Sequence, residues 1–272
     1  MKKYIIVCAL LLSININAKS IKSAMEEYNT GNKKAASELF SKECNNGDMT
    51  SCGLLAKMYF KGDGIQKNTK NSAKLFTFMC NNGNMQGCEV LAIMLNTGDG
   101  INRNKNKAMQ LFNKACNNGN INACYELGVI YDRKNNIKAE NLYIKSCLKG
   151  FQNACYNLAL MYDKGNIVKE NQKKAIKLYN VLCKKSDFQA CHNQGLIYFY
   201  GKNLLKNKSK AIELFDLACN NGLGESCEAL GFIYEDDNGI KINKIKAKEY
   251  YKKACDFGNS IMGCESYKEL QK

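Results

Sequence analysis

The sequence lacks most of the residue patterns that indicate a metal site. It contains a single histidine, His192, whereas the zinc sites of hydrolases use several histidine ligands. Its cysteines are not spaced as the close pairs of structural zinc sites either. The loops at 62–65, 98–101 and 237–240 carry one aspartate each, which is too few for calcium because this cation takes about six to eight oxygen ligands. The sequence therefore predicts no metal and no other cofactor.

Long hydrophobic segments are also missing. The apolar run from Tyr4 to Leu12 is shorter than the roughly 20 residues that cross a bilayer, and no later segment approaches that length without charges. This run follows Lys2 and Lys3 and precedes Ala18, which is the pattern of a secretory signal peptide cleaved after that alanine. We therefore predict an exported protein, periplasmic or secreted, without a membrane span.

Cysteine is abundant, and its distribution agrees with export. One of the 15 cysteines, Cys8, lies in the predicted signal peptide, so the mature chain keeps an even number. An even number in an exported protein indicates disulfide bonds. The pairs are Cys44 and Cys52, Cys80 and Cys88, Cys116 and Cys124, Cys147 and Cys155, Cys183 and Cys191, Cys219 and Cys227, and Cys255 and Cys264. Their first members recur every 36 residues with one step of 31, and such a period indicates stacked supersecondary units.

Two helical patterns surround each cysteine pair. Before the first cysteine, a small residue, Leu, and Phe or Tyr recur at positions −8, −5 and −4, which form one face of a helix, here named helix A. After the second cysteine, Leu, a small residue and Tyr recur at +3, +4 and +7 and define helix B. The small residues at +4 predict that neighbouring helices approach closely. They are Ala56, Ala92, Gly128, Ala159, Gly195 and Gly231.

A turn must separate the two helices of each unit. Asn-Asn-Gly follows the first cysteine in four units, and glycine there ends a helix because it adopts left-handed backbone angles without a Cβ clash. On one continuous helix, residues eight apart would lie about 12 Å apart, roughly twice the Cα separation that a disulfide allows. Each pair is therefore predicted to join the last turn of helix A to the beginning of helix B.

These patterns predict an all-α solenoid of seven helix-pair repeats with one disulfide in each repeat. Irregular sequence at both ends predicts polar caps, which such stacks require. The predicted segments are a signal peptide at 1–18, an N-terminal capping helix at 19–30, six repeats at 31–68, 69–104, 105–135, 136–171, 172–207 and 208–243, and a seventh repeat with the C-terminal cap at 244–272.

The repeat unit KAxxLFxxACNNGxxxACxxLGxIYxxGxGI, seen best at 107–130 and 210–240, resembles the Sel1-like repeat, a relative of the tetratricopeptide repeat (TPR). With a signal peptide and a C-x₇-C pair in six of its seven units, the chain is similar to the Helicobacter cysteine-rich protein family. The resemblance covers about residues 20–270. It implies a TPR-like α/α superhelix with a concave groove, exported to the periplasm or the medium. It also implies penicillin binding or weak β-lactamase activity, and contact with host cells.

The residues themselves give that activity little support. A serine β-lactamase carries its nucleophile in an S-x-x-K motif and needs S-D-N and K-T-G motifs as partners. Only the segment from Ser146 to Lys149 matches the first motif, and neither partner motif occurs. The other repeats hold Glu, Met, Ala or Leu at this position, so we interpret Ser146 as an ordinary helix residue. Catalytic residues stay unassigned, and hydrolysis of β-lactams is the alternative function.

The first functional hypothesis is a scaffold that binds a peptide, a protein or an envelope ligand in a concave groove. Position −3 of helix A varies between repeats, and we take Asn113, Asn180 and Asp216 as groove candidates, with a solvated helix face as the competing interpretation. The formal charge of +15 becomes +13 when Lys2 and Lys3 leave with the signal peptide, which favours an acidic partner such as an anionic envelope polymer or a host surface. β-Lactams would be ligands under the alternative. Nucleic acid is not expected, because the protein is exported and shows no recognised binding motif.

Overall fold

A computed structural model describes residues 21–134, 137–201, 206–235, 241–258 and 260–271. Within these ranges the regular secondary structure is entirely α-helical. The predicted signal peptide at 1–18 and the first two residues of the predicted capping helix lie outside the described residues. The same holds for the loop at 237–240 and for residues 135–136 at the end of predicted repeat 3 and the start of repeat 4.

The helices follow one another in antiparallel pairs. Helix α1 covers residues 21–29. The A helices are α2 (Lys33–Asn45), α4 (Thr69–Asn81), α6 (Lys105–Asn117), α8 (Lys138–Leu148), α10 (Gln172–Cys183), α12 (Lys208–Asn220) and α14 (Lys244–Asp256). The B helices are α3 (Met49–Lys61), α5 (Met85–Thr97), α7 (Ile121–Asp132), α9 (Gln152–Lys164), α11 (Phe188–Tyr200), α13 (Gly224–Glu235) and α15 (Ile261–Glu269). This order confirms the predicted all-α solenoid.

The chain forms two compact units, Met1–Leu127 and Gly128–Lys272. In the first unit, Ala36 and Phe40 of α2 pack with Leu55 and Met58 of α3 in a buried cluster. In the second unit, an equivalent cluster contains Phe215 of α12 with residues of α11, α13 and α14. In both clusters the apolar face of the A helix is buried between the helix before it and the helix after it, as expected of stacked repeats.

Seven disulfides hold the helix pairs together. They are Cys44–Cys52, Cys80–Cys88, Cys116–Cys124, Cys147–Cys155, Cys183–Cys191, Cys219–Cys227 and Cys255–Cys264. In each, the first cysteine lies in the last turn of an A helix and the second in the first turn of the following B helix. The Cα–Cα distances run from 4.4 to 4.8 Å, within the range that a disulfide requires. One disulfide per repeat is thereby confirmed.

An asparagine begins most of the A helices. Its side-chain oxygen accepts the backbone N–H three residues later, and this bond satisfies one of the unpaired donors at a helix N-terminus. Its own backbone N–H donates to a carbonyl oxygen of the preceding B helix at 2.7–2.8 Å. These residues are Asn68, Asn104, Asn171, Asn207 and Asn243. The asparagine thus caps helix A with its side chain and attaches helix A to the preceding B helix with its backbone N–H.

Replacing one capping asparagine is expected to lower the stability of the second unit. Asn171→Ala removes the acceptor for the backbone N–H of Lys174 and should lower the free energy of unfolding by about 1 kcal/mol. Asn180→Ala on the same helix is the matched control, because Asn180 is exposed in the interior of α10; we expect a change within about 0.5 kcal/mol. Urea unfolding followed by circular dichroism compares the two, and equal losses would contradict the capping role.

The small residues at +4 of the B helices pack against aromatic rings. A Cβ atom added at Gly195 would lie 2.7 Å from Cε1 of Phe215, and one added at Gly231 would lie 2.6 Å from Cδ1 of Tyr251. Phe215 and Tyr251 belong to the A helices that follow. The close approach predicted from the sequence is present, but the B-helix backbone contacts a buried ring rather than a second backbone.

Candidate functional site

Two cavities lined by the B helices use the same positions of the repeat. In the first unit, Thr50, Gly53 and Lys57 of α3 line a cavity of about 150 Å³. These residues lie at −2, +1 and +5 from the second cysteine of their repeat, a spacing that places them on one side of the helix. We name the surface that these three positions form within each unit the helix B face.

In the second unit, all three of these positions in α13 and some of them in α11 and α15 line a larger cavity. Its volume is about 480 Å³, and its walls come from α11, α13 and α15 with contributions from α12 and α14. Phe215, Ile233 and Tyr251 are buried beneath it. Tyr200 and Met262 stand at its edge with 67% and 65% of their surface exposed. Exposed apolar side chains around a concave site are typical of surfaces that bind a partner.

Three carboxylates of α13 also line this cavity: Glu225, Glu228 and Glu235. Each accepts a hydrogen bond from a neutral side chain, and no salt bridge joins any of them to a lysine or arginine within the described ranges. The donors are the Gln189 amide to Glu225 at 3.3 Å, the Ser260 hydroxyl to Glu228, and the Tyr251 hydroxyl to Glu235 at 2.7 Å. Burial and the Glu235 carboxylate raise the pKa of Tyr251, so this phenol stays a donor at neutral pH.

His192 forms part of the buried wall of the cavity. Only 8% of its surface is exposed, and its Nδ1 lies 2.8 Å from the Ser226 hydroxyl oxygen. Burial lowers the pKa of the imidazole, although the Glu225 and Glu228 carboxylates act in the opposite direction. The ring is therefore neutral at pH 7 and supplies no positive charge to the cavity. Its Nε2 makes no hydrogen bond to any described residue.

The groove candidates from the sequence occupy the A helices instead. Asn113 and Asn180 are exposed, and none of the three candidates lines either cavity. Asp216 is half-buried and accepts hydrogen bonds from the Tyr250 hydroxyl and the Asn220 amide, both at 3.0 Å. The hydrogen bond from Tyr250 joins α12 to α14. Among the described residues no hydrogen bond links Asp216 to Asn180, so these two candidates are not joined in one site. Their part in ligand binding stays a prediction.

Ser146 has no access to a substrate. Its side chain is fully buried in α8 beside the Cys147–Cys155 disulfide, and Lys149 is the residue that follows the last turn of this helix. A serine nucleophile must reach its substrate and a base at the same time. The S-x-x-K match therefore carries no support for hydrolysis of β-lactams.

The described residues were considered for two further features, a metal site and a membrane span. No group of three or more potential metal ligands occurs among them. None of their helices combines the length with the apolar character that a membrane span requires. Seven disulfides indicate an oxidising environment outside the cytoplasm.

Comparison with protein-family models decides the family. The Sel1 repeat matches six consecutive segments, 51–84, 86–120, 121–151, 152–187, 188–223 and 224–259. The chain belongs to the Sel1 repeat family. Sel1 repeats typically form protein-binding scaffolds. Each matched segment begins in a B helix and ends after the A helix that follows, so the family frame is one helix out of phase with the repeats predicted from the cysteines. Those predicted boundaries stay a prediction.

Solved structures share this architecture. A protective antigen of uropathogenic Escherichia coli with an SLR fold is 30% identical, with a TM-score of 0.67, over 80% of this chain and 48% of its own. The chain thus spans about half the length of that antigen. A Sel1 repeat protein from Oxalobacter formigenes is 23% identical, with a TM-score of 0.68, over 87% of this chain and 99% of its own, and it shows the fold alone. A search of curated proteins finds no match.

Proposed function

We propose that this Sel1 repeat protein is exported and binds a peptide segment of a partner protein on its helix B face. The observation that carries the proposal is the cavity of about 480 Å³ in the second unit, where buried aromatic rings lie beneath an exposed apolar edge. The disulfides support export to the periplasm or the medium. A C-x₇-C pair in six of the seven repeats supports a narrower place in the Helicobacter cysteine-rich protein family.

Hydrolysis of β-lactams is not part of this proposal, since Ser146 is buried and the partner motifs are missing. An acidic partner is favoured by the net charge alone. The cavity itself carries three carboxylates, so the local charge at the candidate site is opposite in sign to the charge of the whole chain. A ligand of this cavity therefore need not be acidic.

Selection from a random peptide library on the oxidised protein from Lys19 onward tests the proposal. We expect enriched peptides whose affinity falls about 10-fold on Phe232→Ala, because a central aromatic side chain contributes more than about 1 kcal/mol to such contacts. Leu217→Ala is the matched control: Phe232 and Leu217 are both 44% exposed, but Leu217 lies on an A helix outside the cavity. Failure to enrich any peptide, or equal effects of the two substitutions, would reject the proposal.

A further inference from the structure

We infer that the cavity of the second unit binds a lysine or arginine side chain of the partner, next to an aromatic or aliphatic residue that packs on the exposed edge. This inference rests on the proposed function and specifies the chemistry of the partner segment. It rests on the lining of the cavity, on the arrangement of the carboxylates on α13, and on the lack of a salt bridge between these carboxylates and any described lysine or arginine.

The carboxylates form one stripe with an aromatic residue in the middle. Glu225, Glu228, Phe232 and Glu235 follow one another at steps of three, four and three residues, which places them along one side of α13. All four line the cavity. Negative charge is thus spread along the cavity wall and alternates with an apolar surface.

No lysine or arginine among the described residues forms a salt bridge with these carboxylates. Other acidic residues of the chain have lysine partners, as in the pairs Lys210–Glu213 and Lys252–Asp256 at 2.7 and 2.6 Å. The cavity carboxylates receive only neutral donors from the described residues, although the chain holds 40 lysines and arginines against 25 aspartates and glutamates. A cationic ligand group would form charge-assisted hydrogen bonds with them, which are stronger than bonds between neutral groups.

Buried His192 adds a further polar contact. Its Nδ1 is held by Ser226, whereas Nε2 has no hydrogen-bond partner in the described part of the chain. The residue lines the cavity and is more than nine-tenths buried. Its free nitrogen is therefore positioned to bond a polar group inside the cavity, and its neutral ring does not repel a cation.

The apolar lining favours a side chain with a long stem over a small ion. Leu196 and the half-exposed Phe232 line the same cavity and offer surface to the methylene groups of lysine or arginine. Aromatic faces also attract these cations. Tyr200 and Met262, exposed at the edge, would be covered only by a further apolar residue of the same peptide. A free small amine would leave that edge in water.

The positive net charge of the protein opposes the binding of a basic peptide. The chain from Lys19 onward, whose formal charge is +13 without Lys2 and Lys3, repels cationic peptides over most of its surface. Specific capture of a basic segment therefore requires a local site of opposite sign, and nonspecific attraction would enrich acidic peptides instead.

The test uses the peptides selected on the oxidised protein and removes the positive charge of their basic side chains. Every arginine is replaced by citrulline, its neutral isostere, and affinities are measured by fluorescence anisotropy for the wild type and for Glu228→Gln/Glu235→Gln. Glutamine keeps an acceptor for Ser260 and Tyr251. We expect citrulline to weaken binding to the wild type about 10-fold or more and to have little effect on the double variant, because both changes remove the same charge pair. Lysine peptides are compared with acetyl-lysine forms.

Glu213→Gln/Glu249→Gln removes the same number of charges from exposed positions on α12 and α14 and should leave the citrulline effect unchanged. Selected peptides without basic residues, or a citrulline effect that persists in Glu228→Gln/Glu235→Gln, would overturn the inference while the proposed function stands. No selected peptide at all would reject the proposed function itself. Displacement by spermidine that is indifferent to the apolar residues of the peptide would identify a small polycation as the ligand and also overturn the inference.

Discussion

Complete reduction of the seven disulfides is expected to unfold most of the chain at 25 °C. Each bond closes a short loop between helix A and helix B, and loop-closure entropy assigns about 2.5 kcal/mol to a loop of this size. A folded domain has a net stability of only about 5–15 kcal/mol, so the combined loss exceeds what the helix packing retains. Far-UV circular dichroism of the reduced and alkylated protein measures the result. A melting temperature within about 5 °C of the oxidised protein would contradict it.

Removing a single disulfide by substitution distinguishes the loss of the bond itself from a general effect of the reductant. Cys80→Ala/Cys88→Ala removes one bond between α4 and α5 and should cost about 2–3 kcal/mol without unfolding the chain. Stacked repeats contact only their neighbours, so the loss is expected to remain local. Hydrogen exchange should show faster exchange in α4 and α5 than in the rest of the first unit. Uniformly faster exchange would indicate that the unit unfolds as a whole.

We expect the point substitution Gly195→Ala to lower the stability of the second unit. The new methyl group would lie 2.7 Å from the ring of Phe215, which is 1% exposed and enclosed by its neighbours. Overpacking of this kind costs about 1–3 kcal/mol. Alanine also gains about 1 kcal/mol of helix propensity over glycine, and we expect the steric cost to exceed that gain. Urea unfolding measures the difference.

Gly53→Ala is the matched control for this prediction. Both glycines lie inside B helices, but a Cβ atom at Gly53 would meet only the flexible end of Met79, with the Cε atom at 3.3 Å. Methionine adapts to such changes, so this variant should be unchanged or more stable by up to about 1 kcal/mol. Opposite signs for the two substitutions are the expected result. The same sign for both would show that helix propensity, and not contact with the ring, controls these positions.

Repeated local patterns explain why the fold was predictable. The cysteine spacing and the apolar columns recur in every repeat, and a helix face needs only neighbouring residues to be recognised. The same argument would have found the capping residues. Asparagine stands twelve residues before the first cysteine of each repeat, from Asn32 to Asn243, and in five of these repeats it caps an A helix and bonds the B helix before it.

The binding face was not predictable in the same way. Variable residues, most of them polar, occur at −3 of helix A and also at −2 and +1 of helix B, whereas +5 of helix B is mostly apolar. A helical period shows which side of each helix is buried, but it does not show which helix of a pair lines a cavity. Three glutamates in α13 of a lysine-rich chain were a visible signal, yet without the stacking of the helices they indicate only a solvated face.

The sequence by itself determined the helices, their pairing and the disulfides, because those features depend on residues within about one repeat of each other. Only the tertiary structure decided where a ligand can bind. Residues such as His192, Glu228 and Met262 come from three successive B helices and line one cavity. Their proximity depends on how the A helices space the B helices apart, which is a property of packed side chains and not of any local pattern.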